Sequence, residues 1–530
     1  MVQVAFTAPH REATQIGMDV LQAGGSAVDA MIAAAAAITV LYPHMNSIGG
    51  DSFWLIKKPG EAPVAIDACG TSASQSRVEK YTSRKLHKIP ERGKDACVTL
   101  GGTVDGWRLA REMVSTPNIS LKNLFEPAIN LAKTGIRVSN SLSKASTKVS
   151  TDLLALNNRQ EEFWAFNRIF SQSDSPLSEG DTVRNPDLAS VFERIAEYGL
   201  RDFYEGDIAR CIASSFEGVE CGISIDDLKQ YQAKFVSPLH HENCFGSLYN
   251  LPPPTQGIAS LLILALYDKM FDSGWSEAQR THYLVESCKS AFHLRDTLVC
   301  DPSTIKEDVS GYLSSNSLDS MLHSISKEAA PWPNKLQSGD TVWMGCVDAQ
   351  GMSVSFIQSI YWEFGSAVVI PGTGIVWNNR GSSFSLVPNH HNVLAGNIKP
   401  LHTLNPALAQ HKDGSTLVYG CMGGDGQPQT QSAIYSRYYY DGCSLEDSIS
   451  MGRWLLGRTW GDSDTDLKLE HSLYHRIGRE LESFGHKVQV VPEYSEIMGH
   501  AGAIVLDARG KIQAANDPRS DGVAMTGKAQ

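Results

Sequence analysis

The chain has 530 residues, 42% of them hydrophobic and 20% charged, with a formal net charge of −12 at pH 7. That balance suits a large soluble globular protein. With no long basic run, it argues against a nucleic-acid binder or a protein drawn to anionic membranes.

The N-terminal stretch "MVQVAFTAPHREA" lacks a basic segment followed by an apolar core, so no secretory signal is read and the cytoplasm is the expected compartment. "HREATQIGMDVLQAGG" predicts a helix with Ala13, Ile16, Val20 and Leu21 on one face, stopped by Gly24 and Gly25. Ser26 can cap the next helix. That helix is the most apolar segment, residues 27–42, yet it contains Asp29 and is shorter than the roughly 20 residues a bilayer requires, so a buried helix is expected. "IGGDSFWLIKK" and "APVAIDA" read as strands. "RNPDLASVFERIAEYG" predicts a helix capped by Asn185, with Pro186 in its first turn and Leu188, Phe192 and Ile195 on one face. The Gly-Asp-Thr that begins at Gly180 is then an ordinary approach to a helix.

A second Gly-Asp-Thr, at residues 339–341, sits differently. Pro331 and Pro333 break any regular element before it, and "TVWMGCVD" follows as a strand. "AQG" supplies a turn and "MSVSFIQSIYW" a returning strand. Strands are also predicted in "AVVIPGTGIVWNN", "STLVYGCM", "HKVQVV", "GAIVLD" and "KIQAAN". Residues 1–340 read as helix-rich and 341–530 as strand-rich, with no repeat and no low-complexity linker. One intertwined domain with layered α+β packing is expected. The ten cysteines are scattered without a C-x-x-C pair, so reduced, mostly buried thiols are expected.

Thr341 is a candidate nucleophile. A threonine hydroxyl is weak until a base takes its proton. Cleavage of the Asp340–Thr341 bond would give it one, because a free α-amine titrates near ~7.7–8.0. The proline-containing stretch beforehand would leave room for the cut. A strand threonine without a role is the competing reading. The stretch "YGCMGGDGQPQTQ" sends a strand through Gly423 and Gly424 into a helix, where two backbone N–H groups can converge on an anion. An ordinary tight turn is the alternative. It is neither a Walker loop nor a Rossmann fingerprint. Adjacent His390–His391 and His240–His241 would point to opposite faces if extended, and no metal or organic cofactor is expected.

Together these pieces resemble the gamma-glutamyltranspeptidase family of N-terminal-nucleophile hydrolases. The resemblance runs from "GMDVLQAGGSAVDAMIAAAAAITVLYPHMNSIGGDSF" through "EGDTVRNPDLASVFERIA", "DTVWMGCVDAQG", "PGTGIVWNN", "KPLHTLNPAL" and "MGGDGQPQ" to "AANDPRSDG". It implies a four-layer αββα sandwich made as a precursor. Self-cleavage before Thr341 would give a large subunit, 1–340, and a small one, 341–530, that stay intertwined. By position Thr341 is similar to the nucleophile, Ser359 to the family's supporting threonine, and Gly423 and Gly424 to the oxyanion-hole pair.

The substrate pocket departs from the family. Its arginine for the glutamyl α-carboxylate falls on Cys69, and its α-amino-binding asparagine on Tyr361. The glutamine and aspartate that help hold that amino group fall on Arg380 and Ser383. The carboxylate-binding serines fall on His402 and Thr403. A positive charge thus stands where an ammonium should sit, which is unfavourable for an ammonium and favourable for a carboxylate. The expected substrate is a small amide bearing a carboxylate and no α-amino group, anchored by Arg380 with His402. The pocket is similar to the oxamate amidohydrolase branch, which implies conversion of oxamate to oxalate and ammonia. A gamma-glutamyl or glutathione hydrolase or transpeptidase, a beta-lactam side-chain acylase, and an unprocessed non-catalytic homologue are the alternatives. Assembly of processed heterodimers into homo-oligomers is left open.

Overall fold

The computed structural model describes residues 2–115, 119–156, 163–172, 175–332, 340–457 and 466–529. Most of the stretch expected to leave room for a cut, residues 333–339, lies outside them.

The predicted helices form where their caps place them. Ser26 accepts the Asp29 N–H at the start of Ala27–Leu41, and every residue of that helix is buried. No helix among the described residues is long and apolar enough to cross a membrane. Asn185 accepts the Leu188 N–H at the start of Pro186–Tyr198. The first helix, Arg11–Gln22, is capped by His10, whose ring accepts the Glu12 N–H.

The strands of the two large sheets are β1 (Gln3–Ala8), β2 (Asp51–Lys57), β3 (Val64–Ala68), β4 (Lys234–Val236), β5 (Leu239–Glu242), β6 (Gly246–Asn250), β7 (Asp340–Val347), β8 (Ser353–Tyr361), β9 (Ala407–His411), β10 (Thr416–Cys421), β11 (Ala501–Leu506), β12 (Ile512–Asn516) and β13 (Val523–Lys528). One sheet runs β13-β1-β7-β8-β2-β3-β4 and the other β12-β11-β10-β9-β6-β5. Each neighbouring pair in both is antiparallel.

Period-two alternation assigns the faces. Trp343, Val347, Ile357, Phe53, Leu55 and Cys69 pack with Leu404, Leu408, Val418 and Ile504 between the sheets. Val342, Met344, Cys346, Phe356, Trp54 and Ile56 join the core shared with the helix Ala27–Leu41. On the far side of the second sheet, Leu248, Ala407, Ala409, Leu417 and Tyr419 pack with Leu261 and Leu264 of the helix Gly257–Met270.

The structure adds to three of the expectations. The first 340 residues, helix-rich as expected, also supply β1 to β6, and β7–β8 lies between β1 and β2. "AVVIPGTGIVWNN" forms a short hairpin, Val369–Ile370 with Ile375–Val376, outside the large sheets, because Gly372 and Gly374 take positive φ and turn the chain at once. "HKVQVV" supplies Val488–Val491 to a separate three-stranded sheet.

Candidate active site

The site begins with the register of the first sheet. Ser359 on β8 pairs with Asp51 on β2, and the next ladder brings Ser52 opposite Ala68, which sets Cys69 beside Asp51. On β7 the register shifts: Val342 pairs with Gln358 but Asp340 with Tyr361. Thr341 therefore opposes two residues, Ser359 and Ile360, in a bulge. Thr341, Ser359, Asp51 and Cys69 form a row across four strands, facing the second sheet. Thr341 is 1% exposed, and its Oγ1 has no hydrogen-bond partner among the described residues. A buried, unpartnered hydroxyl costs about 1–3 kcal/mol, so its position calls for a role. Ser359 Oγ accepts the Tyr361 N–H at 2.8 Å, at a residue held at φ +83. Positive φ is strained for an aromatic side chain, and such strain gathers at functional sites.

Arg380 enters from a 3-10 turn, Arg380–Ser383, and is 1% exposed. Its guanidinium carbon lies 3.7 Å from the centre of the Tyr361 ring, and both terminal nitrogens reach Thr403 Oγ1, at 3.4 and 3.3 Å. It makes no ion pair with a carboxylate among the described residues, and Nε has no partner. Burial lowers its pKa, opposed by the field of Tyr361, Asp51 and Cys69. A buried guanidinium held by an aromatic face and a hydroxyl has the geometry and charge to receive a planar anion.

Ser383 and His402 are engaged otherwise. The Ser383 hydroxyl donates to the carbonyls of Arg380, at 2.9 Å, and Leu401, at 3.2 Å, and so locks the turn that carries Arg380. His402 Nδ1 accepts the Leu404 N–H, so Nε2 carries the proton and donates to Asp51 Oδ2 at 2.9 Å. Both nitrogens are used, which leaves His402 no donor for a substrate carboxylate in this arrangement. Its pKa lies well below the usual value, from burial first and then from Arg380 and Lys399. Asp51 Oδ1 also accepts the N–H of Gly70 at 2.8 Å, and burial still pushes its carboxyl up to about 7. The buried Cys69 thiol is raised as well, by burial and then by Asp51 and Asp67.

The opposing wall comes from the second sheet. After β10 the chain passes through Gly423, φ +113, and Gly424, φ +54, before the helix Gly426–Tyr435. Both glycines are buried, and neither N–H donates to an acceptor among the described residues. Their backbone needs the left-handed region, which glycine alone enters at little cost. Behind this turn lies a network that sequence reasoning missed. Gln256 Nε2 donates to the carbonyls of Thr403, at 2.7 Å, and Gly424, at 2.9 Å. Arg295 donates to Gln256 Oε1 and to Asp425 Oδ1. Asp51, Gln256 and Asp425 lie in legible motifs, "GGDSF", "PPPTQG" and "MGGDG", but no spacing in the sequence joins them.

The histidine pairs stand apart from this site. His240 and His241 alternate along β5 as expected. His390 and His391 stack instead, with ring centres 4.3 Å apart, because the chain turns there rather than extends. Two groups among the described residues have metal-ligand spacing: Asp51, Cys69 and His402, and His282, Glu286 and His486. In the second, His282 Nδ1 pairs with His486 Nε2 at 2.8 Å, and Glu286 pairs with Lys289 at 2.7 Å. No disulfide joins the cysteines among the described residues.

The sequence profile described as Gamma-glutamyltranspeptidase matches residues 13–527. The chain belongs to the gamma-glutamyltranspeptidase family. Among its relatives in that family is the oxamate amidohydrolase proenzyme of Klebsiella pneumoniae, 44% identical over 522 residues, 98% of this chain and 97% of the relative. The glutathione hydrolase-like YwrD proenzyme of Bacillus subtilis is 35% identical over 522 residues, 98% of this chain and 97% of the relative. The solved structure of a cephalosporin acylase from Bacillus halodurans superposes with a TM-score of 0.90 at 28% identity, covering 99% of this chain and 96% of that one. The mixed α+β fold is that of this family, and the chain is an amidohydrolase of the family's N-terminal-nucleophile type.

Proposed function

We propose that this gamma-glutamyltranspeptidase-family protein matures by cleavage of its own Asp340–Thr341 bond and then hydrolyses a small amide bearing a carboxylate beside the scissile carbonyl, oxamate foremost. On this reading the two packed sheets and their outer helices are the four-layer αββα sandwich, and residues 1–340 and 341–530 become its large and small subunits. The observation that carries the substrate is Arg380, a buried cation without a carboxylate partner among the described residues. The 44% identical relative named for oxamate supports the same choice. The burial of Thr341 and Arg380 favours a small substrate over one with a bulky side chain.

The chemistry follows from the residues. The free amine of Thr341 takes the proton from Oγ1, which attacks the amide carbon. The N–H groups of Gly423 and Gly424 hold the oxyanion, and each such donor is worth roughly 2.7–4 kcal/mol. Ser359 supports the nucleophile. The same amine passes its proton to the leaving nitrogen, and ammonia departs from an acyl-Thr341 ester. Water, giving its proton to that amine, then releases oxalate. Arg380 and the Thr403 hydroxyl fix the carboxylate throughout, Tyr361 and Ser383 hold Arg380 in place, and His402 orients Asp51 behind it. Because the carboxylate and the scissile carbonyl are adjacent on a two-carbon substrate, anchoring one end orients the other.

The test combines intact mass with ammonia release. Incubated wild type should resolve into species for 1–340 and 341–530 and release ammonia from oxamate. Thr341→Ala should stay a single chain and release none. Processing and turnover in Thr341→Ala would remove Thr341 from its role. A cleaved wild type that acts on gamma-glutamyl or beta-lactam amides and spares oxamate would overturn the substrate.

A further inference from the structure

Gln256 touches both halves of the site at once. It is fully buried, as is Thr403, and Arg295 and Asp425 behind it are 3% and 1% exposed. One nitrogen, Nε2, bonds the Thr403 carbonyl at 2.7 Å and the Gly424 carbonyl at 2.9 Å. The Thr403 hydroxyl faces Arg380, and Gly424 belongs to the turn to which the proposed mechanism assigns the oxyanion. The amide cannot flip, because Oε1 accepts the Arg295 Nη1 proton at 2.7 Å and the same Nη1 is held by Asp425 at 2.6 Å. The Gln256 main chain is tied as well, its N–H donating to the His402 carbonyl at 3.0 Å.

We propose that Gln256 is a positioning residue that sets the span between the carboxylate anchor and the oxyanion turn, and so selects amides whose carboxylate is bonded directly to the amide carbon. The proposal rests on the substrate reading above. Inserting one methylene lengthens the substrate by about 1.5 Å. A misplacement near 1 Å can cost ~10²-fold in rate, so the span decides between substrates that differ by that methylene. Loss of the two Nε2 bonds frees Thr403 and Gly424 to move relative to each other. The penalty then falls on the short substrate, whose two ends have no slack.

The experiment compares kcat/KM for oxamate and for malonamate, its homologue with one added methylene, in matured wild type, Gln256→Leu and Gln256→Glu. Gln256→Glu keeps the acceptor for Arg295 and loses both donors, so it retains the packing if Gln256→Leu folds poorly. Wild type should prefer oxamate, and both variants should lose about tenfold or more of that preference, mainly through kcat, with self-cleavage complete. A merely structural role lowers both substrates by one factor. An unchanged oxamate-to-malonamate ratio therefore overturns the role of Gln256 while the substrate reading stands. Wild type that hydrolyses neither amide overturns the substrate reading, and the span argument with it.

Discussion

At the turn end of the β7–β8 hairpin, Asp348 answers the N–H groups around it. Its Oδ1 accepts the Gln350 and Met352 N–H groups, both at 2.9 Å, and its Oδ2 accepts the Ala27 N–H at 2.9 Å. One carboxylate thus closes the turn and ties it to the first residue of the buried helix Ala27–Leu41. At the opposite end of the same hairpin, roughly 20 Å away along the strand by the usual rise per residue, the pattern reverses. There Thr341 Oγ1 has no partner among the described residues, Tyr361 is held at φ +83, and Arg380 lies against an aromatic ring rather than a carboxylate. Asp348 and Thr341 themselves are both buried. One end satisfies its polar groups, and the other leaves the Thr341 hydroxyl unpartnered among the described residues, which on the proposed reading keeps it available to substrate.

The comparison can be broken at either end. The largest effect is expected from Arg380→Ala. Removing one partner of a buried charge pair costs about 2–5 kcal/mol, so kcat/KM for oxamate should fall by roughly 30-fold or more. Thermal stability should hold or rise, because an unpaired buried cation is removed. Near-normal ammonia release would show that Arg380 is not the anchor. Asp348→Ala should behave in the opposite sense. It strands three N–H groups and should cost about 1–3 kcal/mol, read as a lower unfolding midpoint. The matured fraction should keep its KM for oxamate, and a large rise in KM would mean that the two ends are not independent.

The smallest effect is a pH dependence at Asp51. Burial raises its carboxyl to about 7 in the folded protein, above the unfolded value near 3.9, so the folded state holds this proton more tightly. The group therefore takes stability away as pH climbs from about 4 to about 7, and its full cost stands above that range. His402 acts oppositely: its depressed pKa adds stability as pH rises through the ordinary histidine value near 6.5. Asp51→Asn removes the first contribution. The midpoint of the variant relative to wild type should rise as buffers move from about pH 5 to about pH 8. A flat difference across that range would show that Asp51 is ionised throughout.

Much of the scaffold is legible in the amino-acid sequence. Ser26 and Asn185 mark helix starts because a side-chain oxygen answers an N–H two or three residues on, a local interaction that sequence displays directly. The β7–β8 hairpin is equally plain from alternation and the "AQG" turn. The role of His402 is not. Its position in the chain suggests a carboxylate ligand, yet contacts with Leu404 and with Asp51, 351 residues away, occupy both its nitrogens. The stacking of His390 on His391 likewise reverses the extended-chain expectation, since a turn brings neighbouring side chains together.

The sequence by itself determined the elements, the family, and the residue types at the candidate nucleophile and the glycine turn, because propensity, capping and periodicity are local and the family motifs are contiguous. Only the tertiary structure decided which polar groups are satisfied. Whether Arg380 has a carboxylate partner, whether Thr341 Oγ1 is bonded, and that Gln256 joins Thr403 to Gly424 all depend on register between strands and on contacts across 147 and 168 residues. Hydrogen-bond satisfaction is a property of three-dimensional neighbours, and no spacing along the chain encodes it.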